Sequence, residues 1–231
     1  RAVNRLTIAV NDNNAPYSWH DNNITRGIDI DTVRETAKRL GYAVEFQAVP
    51  WKRMMTLVKT GSVDVGATAF YRKGREAFAI YMKTPLRQAF FNTFVPKEHN
   101  FVYDSPISLS GMTVAKIRGY AVGSRFDLAL RNNIFDVTEV DSIEQGLKML
   151  AKNRFDAFVN NALVTQYQLH KLGLNKEIKM VNLPVNKGEK VFLIFSKAKH
   201  NADFVNKFDA ALQSTINDGT LDSIIQSYLS K

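Results

Sequence analysis

Apolar residues in the first third of the chain follow two alternating spacings, one typical of strands and one typical of helices. Residues 6–10 are a short apolar run, and residues 44–49 alternate between apolar and polar side chains; these segments and residues 63–67 predict strands. Between them, residues 30–40 and 51–58 repeat apolar side chains every three or four positions, which predicts two amphipathic helices. The resulting order of strand, helix, strand, helix, strand implies crossover connections on a parallel sheet.

The second half of the chain repeats this pattern. Residues 113–117 and 155–159 predict strands, and the helix between them starts with Ser142 and Gln145 in capping-box spacing. Near the C-terminus, the stripes at 204–216 and 221–229 predict one long helix and one short helix. The sequence therefore predicts two α/β lobes.

Two β-rich runs lie where the chain would pass between these lobes. We expect lobe I to comprise residues 1–89 and 192–231, and lobe II to comprise residues 90–191. If the runs near 90–95 and 188–195 both cross between the lobes, they form a double-stranded hinge.

Composition excludes several classes of protein. The 231 residues are 45% hydrophobic and include no cysteine, which removes thiol catalysis and disulfides. No apolar stretch approaches the length of a membrane span. The net charge of +9 could indicate nucleic-acid binding, but the basic residues are scattered and no known nucleic-acid motif occurs, so we expect a solvated basic surface and no nucleic-acid partner. No motif for a cofactor, a metal or a hydrolytic nucleophile is present, so no cofactor is expected.

Several short motifs follow one another in a specific order. They are Ala15-Pro16-Tyr17, Gly27-Ile28-Asp29-Ile30-Asp31, Trp51, Gly61-Ser62-Val63-Asp64, YRKGRE, LSGMTVAKIRGYAVG and NDGTLDSIIQSYL. In this order and spacing they resemble the family 3 extracellular solute-binding proteins, the amino-acid receptors of ABC importers, over essentially the whole chain. The resemblance implies an α/β, two-lobe, type II periplasmic-binding-protein-like fold with a double-strand hinge.

The same resemblance implies a function and partners. The protein would capture a small carboxylate or amino-acid ligand in the cleft between the lobes by hinge closure, without covalent chemistry, and an ABC-transporter permease or a sensor would read the closed form. We expect a monomer that does not span the membrane. Because the sequence starts at Arg1 without a signal-type segment, we expect a periplasmic protein whose signal peptide has been removed, or an extracellular, lipid-anchored one if the source is Gram-positive.

In lobe I, the resemblance assigns ligand contacts to residues around three strand ends. Arg75 matches the carboxylate-binding arginine, and a guanidinium suits that task through two parallel charge-assisted hydrogen bonds. Arg72 is a rival, because it stands where the family has threonine. Trp51 matches the aromatic residue that stacks on the ligand, although it also lies on the apolar face of its helix. The remaining predicted contacts are Asn11, Asn14, Thr68, Ala69 and Phe70.

In lobe II, the segment IRGYAV matches the loop that presents backbone N–H groups to a carboxylate. The predicted contacts are Ile117, Arg118, Tyr120 and Ala121, with Gly119 allowing close approach. Family members often have small hydroxyl residues where Tyr120 and Ala121 stand, so only the backbone role carries over.

Two substitutions change the expected ligand. Asn11 and Asn161 occupy the positions where amino-acid receptors place carboxylates for the α-ammonium. Arg72, Arg75 and Arg118 meanwhile add positive charge. We therefore expect an acidic or modified amino acid, or a related carboxylate, rather than a basic one. The alternative is that Asp12 or Asp156 supplies the missing negative charge.

Two other functions use the same fold. The chain could be the ligand-sensing module of a receptor kinase, or a dehydratase-like enzyme. His20 is the one histidine expected near the cleft, and Asp29 and Asp31 resemble paired acids. At the start of a helix, however, these two carboxylates are better interpreted as capping charges, and we expect no enzyme activity.

Overall fold

A computed structural model describes residues 4–229 and divides the chain into two compact units. Unit 1 comprises Arg1–Gln88 and Lys190–Lys231, and unit 2 comprises Ala89–Glu189. The strands are β1 (Asn4–Asn11), β2 (Asn13–Asn14), β3 (Ser18–Asp21), β4 (Ile24–Arg26), β5 (Tyr42–Val49), β6 (Val65–Phe70), β7 (Ala79–Tyr81), β8 (Arg87–Ala89), β9 (Phe91–Pro96), β10 (Thr113–Ile117), β11 (Asp136–Val140), β12 (Ala157–Asn161), β13 (Ile178–Met180) and β14 (Glu189–Ser196). The helices are α1 (Ile28–Arg39), α2 (Trp51–Thr60), α3 (Ser124–Arg131), α4 (Ile143–Ala151), α5 (Ala162–Lys171), α6 (Ala202–Asn217) and α7 (Thr220–Leu229).

Unit 1 is built on a six-stranded sheet with the order β5-β1-β6-β14-β7, and β8 pairs with β14. The strands β5, β1 and β6 are parallel, as the alternation of strands and helices predicted, whereas β14 is antiparallel to β6 and β7. Apolar stripes on α1 and α6 pack on one face, and α2 packs on the other. Burial of both faces explains why the central strands β1 and β6 are largely apolar, whereas the edge strand β5 exposes Glu45 and Gln47.

Unit 2 repeats the arrangement in a five-stranded sheet with the order β11-β10-β12-β9-β13. The strands β10, β11 and β12 are parallel, and β9 is antiparallel to β12 and β13. The helices α4 and α5 cover one face and α3 covers the other. Ser142 caps α4 by accepting a hydrogen bond from the N–H of Gln145 at 3.1 Å, as the capping-box spacing predicted.

The chain passes from one unit to the other next to β8 and β14, which pair with each other. The role of these segments as a hinge stays a prediction. None of the helices within residues 4–229 has the length and apolar character that crossing a membrane requires.

Candidate functional site

The predicted site residues follow the carboxyl ends of the parallel strands in each unit. In unit 1, Asn11 at the end of β1 pairs in register with Val49 at the end of β5, and β6 ends at Phe70 on the same edge. In unit 2, Ile117 at the end of β10 pairs with Val140 at the end of β11, and β12 ends at Asn161. In open α/β sheets this edge is where ligands bind.

Arg75 lies in a short 3-10 turn, Lys73–Ala77, that follows β6. Its guanidinium carbon lies 5.0 Å from the ring centroid of Trp51, and its Nη1 donates to the carbonyl oxygen of Phe70 at 2.7 Å. Trp51 is 40% exposed and so does not belong to the core, although it begins the amphipathic helix α2. Within residues 4–229 no carboxylate forms an ion pair with Arg75, so the remaining donors of the fork are available to an anion.

Arg72 has a similar local arrangement, but it is exposed whereas Arg75 is half-buried. Its guanidinium lies 5.8 Å from the ring centroid of Phe70, and Nη1 donates to the carbonyl oxygen of Tyr71 at 2.7 Å. Tyr81, which the sequence did not single out, fixes the turn. Its hydroxyl donates to the Phe70 carbonyl at 3.1 Å and accepts from the Arg72 N–H at 3.2 Å. Phe70 and Tyr71 are themselves exposed aromatic residues.

Thr68 is less open than the sequence suggested. Its hydroxyl oxygen accepts from Nη2 of Arg87 at 3.4 Å, and Arg87 forms a buried ion pair with Asp29 at 3.2 Å. The Arg87 guanidinium also lies 3.5 Å from the ring centroid of Tyr17. Burial raises the pKa of Asp29, and the Arg87 guanidinium opposes that rise. Asp29 is therefore half of a buried ion pair and not a solvent-facing capping charge.

The other predicted contacts in unit 1 differ in what they offer. Asn11 is half-buried, and its side-chain oxygen accepts from the N–H of Asn13 at 2.9 Å. Asn14 is half-buried, and its carbonyl oxygen accepts from the N–H of Tyr17 at 2.8 Å. Ala69 is 3% exposed, so its side chain belongs to the core and presents no surface to a ligand. Asp12 directly follows β1, which leaves a carboxylate near this strand end.

The loop after β10 uses most of its N–H groups internally, contrary to the open anion-binding loop that the sequence predicted. The N–H of Arg118 donates to Val140, that of Tyr120 to Ile117, and that of Val122 to the Asp127 carboxylate. Tyr120 itself is 54% exposed, and Ala121 is exposed, whereas Ile117 is 8% exposed and offers almost no side-chain surface.

The charge of Arg118 is also engaged within unit 2. Its Nε lies 2.9 Å from Asp141 and its Nη1 lies 3.2 Å from Glu139. The hydrogen bond from Lys116 is the main reason why the pKa of Glu139 is lowered. Arg118 was expected to add free positive charge to the site, and its two acidic partners remove that contribution.

Asn161 caps α5, with its side-chain oxygen accepting from the N–H of Val164 at 3.2 Å. The acceptor expected for an ammonium group is therefore engaged. Asp156 precedes β12, where its Oδ2 accepts from the N–H of Thr113 at 2.8 Å. Because Asp156 lies at the opposite edge of the sheet, it does not supply the missing charge. The described residues contain no cluster of His, Asp and Glu suited to a metal ion.

The chain belongs to the bacterial extracellular solute-binding proteins, family 3, whose family model matches residues 6–231. The curated relatives include the L-cystine-binding protein TcyA of Bacillus subtilis, which is 26% identical over 226 residues that cover 96% of this chain and 80% of the relative. A probable amino-acid-binding protein of the same organism, YxeM, is 22% identical over 228 residues, covering 99% of this chain and 85% of the relative.

Solved structures share the fold. The L-cystine solute receptor of Neisseria gonorrhoeae, in an unliganded open conformation, has a TM-score of 0.81 at 24% identity and covers 99% of this chain and 94% of its own. The second substrate-binding domain of GlnP from Lactococcus lactis has a TM-score of 0.82 at 18% identity, covering 99% and 96%. The family and the type II periplasmic-binding-protein-like fold that the sequence predicted are confirmed: the protein is a solute-binding protein.

Proposed function

We propose that this protein captures a small ligand bearing a carboxylate, an amino acid or a close relative of one, and delivers it to an ABC importer. The observation that carries the proposal is Arg75, whose guanidinium is held by Trp51 and the Phe70 carbonyl and has no carboxylate partner within residues 4–229. A guanidinium fork held in place in advance binds a carboxylate through two charge-assisted hydrogen bonds. Relatives named as L-cystine-binding and probable amino-acid-binding proteins support the ligand class.

The charges around the strand ends favour an acidic or modified amino acid over a basic one. Arg72 and Arg75 both follow β6, and amides stand at Asn11 and Asn161. The side-chain oxygens of both amides already accept backbone hydrogen bonds, which weakens their capacity to receive an ammonium group. A second carboxylate on the ligand would compensate the positive charge of Arg75.

In this proposal the ligand contacts predicted residues of both units, and its binding favours a closed form that the permease reads. A ligand shifts such an equilibrium only by its differential affinity for the closed form. The family is extracellular, and we propose a periplasmic location, or an extracellular, lipid-anchored one if the source is Gram-positive.

A calorimetric panel tests the ligand class. It compares L-glutamate, L-aspartate, L-cystine, L-glutamine, L-arginine and succinate on one protein preparation. We expect at least one carboxylate-bearing compound to bind in the micromolar range or tighter, with the acidic members preferred over L-arginine. Tight L-arginine binding would refute the acidic preference, and an absence of binding to every member would refute the proposed function.

A further inference from the structure

Two charged residues clamp the loop at 118–122 of unit 2. Lys116 lies on β10, and its Nζ donates to the carbonyl oxygen of Tyr120 at 3.1 Å and to Oε1 of Glu139 at 3.1 Å. Glu139, on the neighbouring strand β11, also accepts from Nη1 of Arg118 at 3.2 Å. The loop is therefore held at the main-chain carbonyl of Tyr120 and at the side chain of Arg118.

The amide of Ala121 is one that this clamp does not use. The N–H groups on either side of Ala121, those of Tyr120 and Val122, donate to Ile117 and to Asp127. Across residues 4–229, the Ala121 N–H has no hydrogen-bond acceptor, and Ala121 is exposed. In the region where the sequence predicted a row of anion-binding amides, the Ala121 N–H belongs to the peptide group whose carbonyl oxygen Lys116 holds, so its position is fixed.

Lys116 is an unusual choice for its position in the sheet. The side chain is 11% exposed, and Val114, Ala115 and Ile117 around it are buried apolar residues. A buried ammonium group must be desolvated, and an apolar residue of similar volume often stabilises a protein as well or better. Stability alone therefore does not account for a lysine here, whereas its hydrogen bonds to the Tyr120 carbonyl and to the Glu139 carboxylate do.

We propose that Lys116 and Glu139 are positioning residues for ligand binding, because they hold the loop in the conformation that keeps the Ala121 N–H available to the ligand. The inference rests on the proposed function and deepens it, because it names the side chains that hold the ligand-binding loop of unit 2 in place. Neither side chain needs to touch the ligand.

Backbone amide exchange, measured by NMR on the ligand-free protein, tests the clamp directly. The variants are Lys116→Met and Glu139→Met, with Glu139→Gln as a conservative rescue that keeps an acceptor oxygen. The matched control is Lys148→Met, which removes an ion pair of the same kind, Lys148 to Glu144 at 2.6 Å, from the exposed surface of α4. We expect exchange at the Tyr120 amide to accelerate at least roughly tenfold in the two clamp variants, partial recovery in Glu139→Gln, and no change in the control.

Calorimetry with L-glutamate and L-cystine as probes then tests the consequence. We expect the clamp variants to bind each probe roughly tenfold more weakly than the wild type. Their melting temperatures should lie no more than a few degrees below that of the surface control Lys148→Met. Wild-type binding that persists unchanged in the clamp variants, or unchanged amide exchange, would overturn the inference. Failure of the wild-type protein to bind either probe would instead count against the proposed function on which the inference rests.

Discussion

Asp29 and Arg87 are the charged residues that unit 1 buries as a pair close to the predicted ligand contacts. Two hydrogen bonds, at 3.2 and 3.3 Å, join the Arg87 guanidinium to the Asp29 carboxylate. The guanidinium also donates to the Thr68 hydroxyl and lies over the ring of Tyr17. Because both charges are desolvated, each one depends on the other for compensation.

Loss of one partner is expected to destabilise the fold. Arg87→Met should lower the free energy of unfolding by roughly 3 kcal/mol or more, because it leaves the buried Asp29 carboxylate without its counter-charge. The double variant Asp29→Asn/Arg87→Met should lose less than the sum of the two single variants. Urea unfolding measures both. Arg34→Met, which removes an exposed partner of Asp31, is the control and should cost less than about 1 kcal/mol; additive losses in the double variant would contradict the coupling.

Sequence patterns placed the residues of the site better than they predicted their partners. Arg75 and Trp51 come together as neighbours of strand ends, which follows from local order in the chain. Arg118 and Thr68 were expected to be open, but acidic partners and Arg87 reach them from elsewhere in the chain. Such partners depend on tertiary contacts over many residues, and no local spacing reveals them.

At the scale of elements, α1 begins at a glycine that the packing requires. Gly27 has φ of 140°, and a Cβ atom there would lie 2.1 Å from the carbonyl oxygen of Tyr17. Its N–H donates to the hydroxyl of Tyr228 at 3.2 Å, and that hydroxyl donates to Asp31 at 2.5 Å. The start of α1 is thereby joined to the end of α7.

Substitution of this glycine should therefore be costly. We expect Gly27→Ala to lower the free energy of unfolding by at least about 2 kcal/mol, because backbone atoms must move. Gly41 also has a positive φ, of 77°, but nothing lies within 4 Å of a Cβ placed there. Gly41→Ala should cost only about 1 kcal/mol. Equal urea midpoints for the two variants would show that the contact with Tyr17 does not constrain the fold.

The turn between α6 and α7 carries a pH-dependent contribution to stability. The hydroxyl of Thr220 and the guanidinium of Arg39 hold the pKa of Asp218 at about 2, below its usual 3.8. A lowered pKa means that the carboxylate stabilises the folded state above about pH 4 and that this contribution disappears as the pH falls towards 2. Asp218→Asn should therefore be less stable than wild type near pH 6 and equally stable near pH 2 in urea unfolding across pH. A difference that stays constant over this range would contradict this assignment.

Elements with long or regular stripes were predictable, and short ones were not. The strands predicted at 63–67 and 155–159 lie two or more residues later, at Val65–Phe70 and Ala157–Asn161. The reason is that Asp64 and Asp156 each precede a strand and accept a hydrogen bond from a neighbouring strand's backbone. The helices α3 and α5 were not predicted, although each buries two side chains, as the predicted helix α2 does.

At the scale of the whole molecule, the order of strands and helices was enough to predict the parallel core of each sheet. Each unit places three parallel strands beside antiparallel ones, and helices cover both faces. The antiparallel strands β9 and β14 arose from runs that the sequence showed only as β-rich. Ligand identity did not follow from the order of elements, since it depends on a few side chains and on which of their atoms remain available.

The net charge of +9 has a consequence for binding kinetics. A positively charged protein attracts an anionic ligand over distances comparable with the Debye length, and salt screens that attraction. In stopped-flow measurements, association of L-glutamate should slow severalfold as ionic strength rises from about 0.01 M to about 1 M. Association of L-glutamine, which carries no net charge, should change much less. The same salt dependence for both amino acids would argue against a role for the basic surface in ligand capture.

Arg75 is the group that holds the ligand's carboxylate in the proposed function. Isothermal titration of L-glutamate into wild type, Arg75→Lys and Arg72→Lys tests this directly. Lysine keeps the charge but loses the guanidinium fork, so Arg75→Lys should bind roughly 10-fold to 100-fold more weakly, whereas Arg72→Lys should remain within about threefold of wild type. Wild-type affinity in Arg75→Lys, or a larger loss of affinity in Arg72→Lys, would contradict the assignment of the ligand's carboxylate to Arg75.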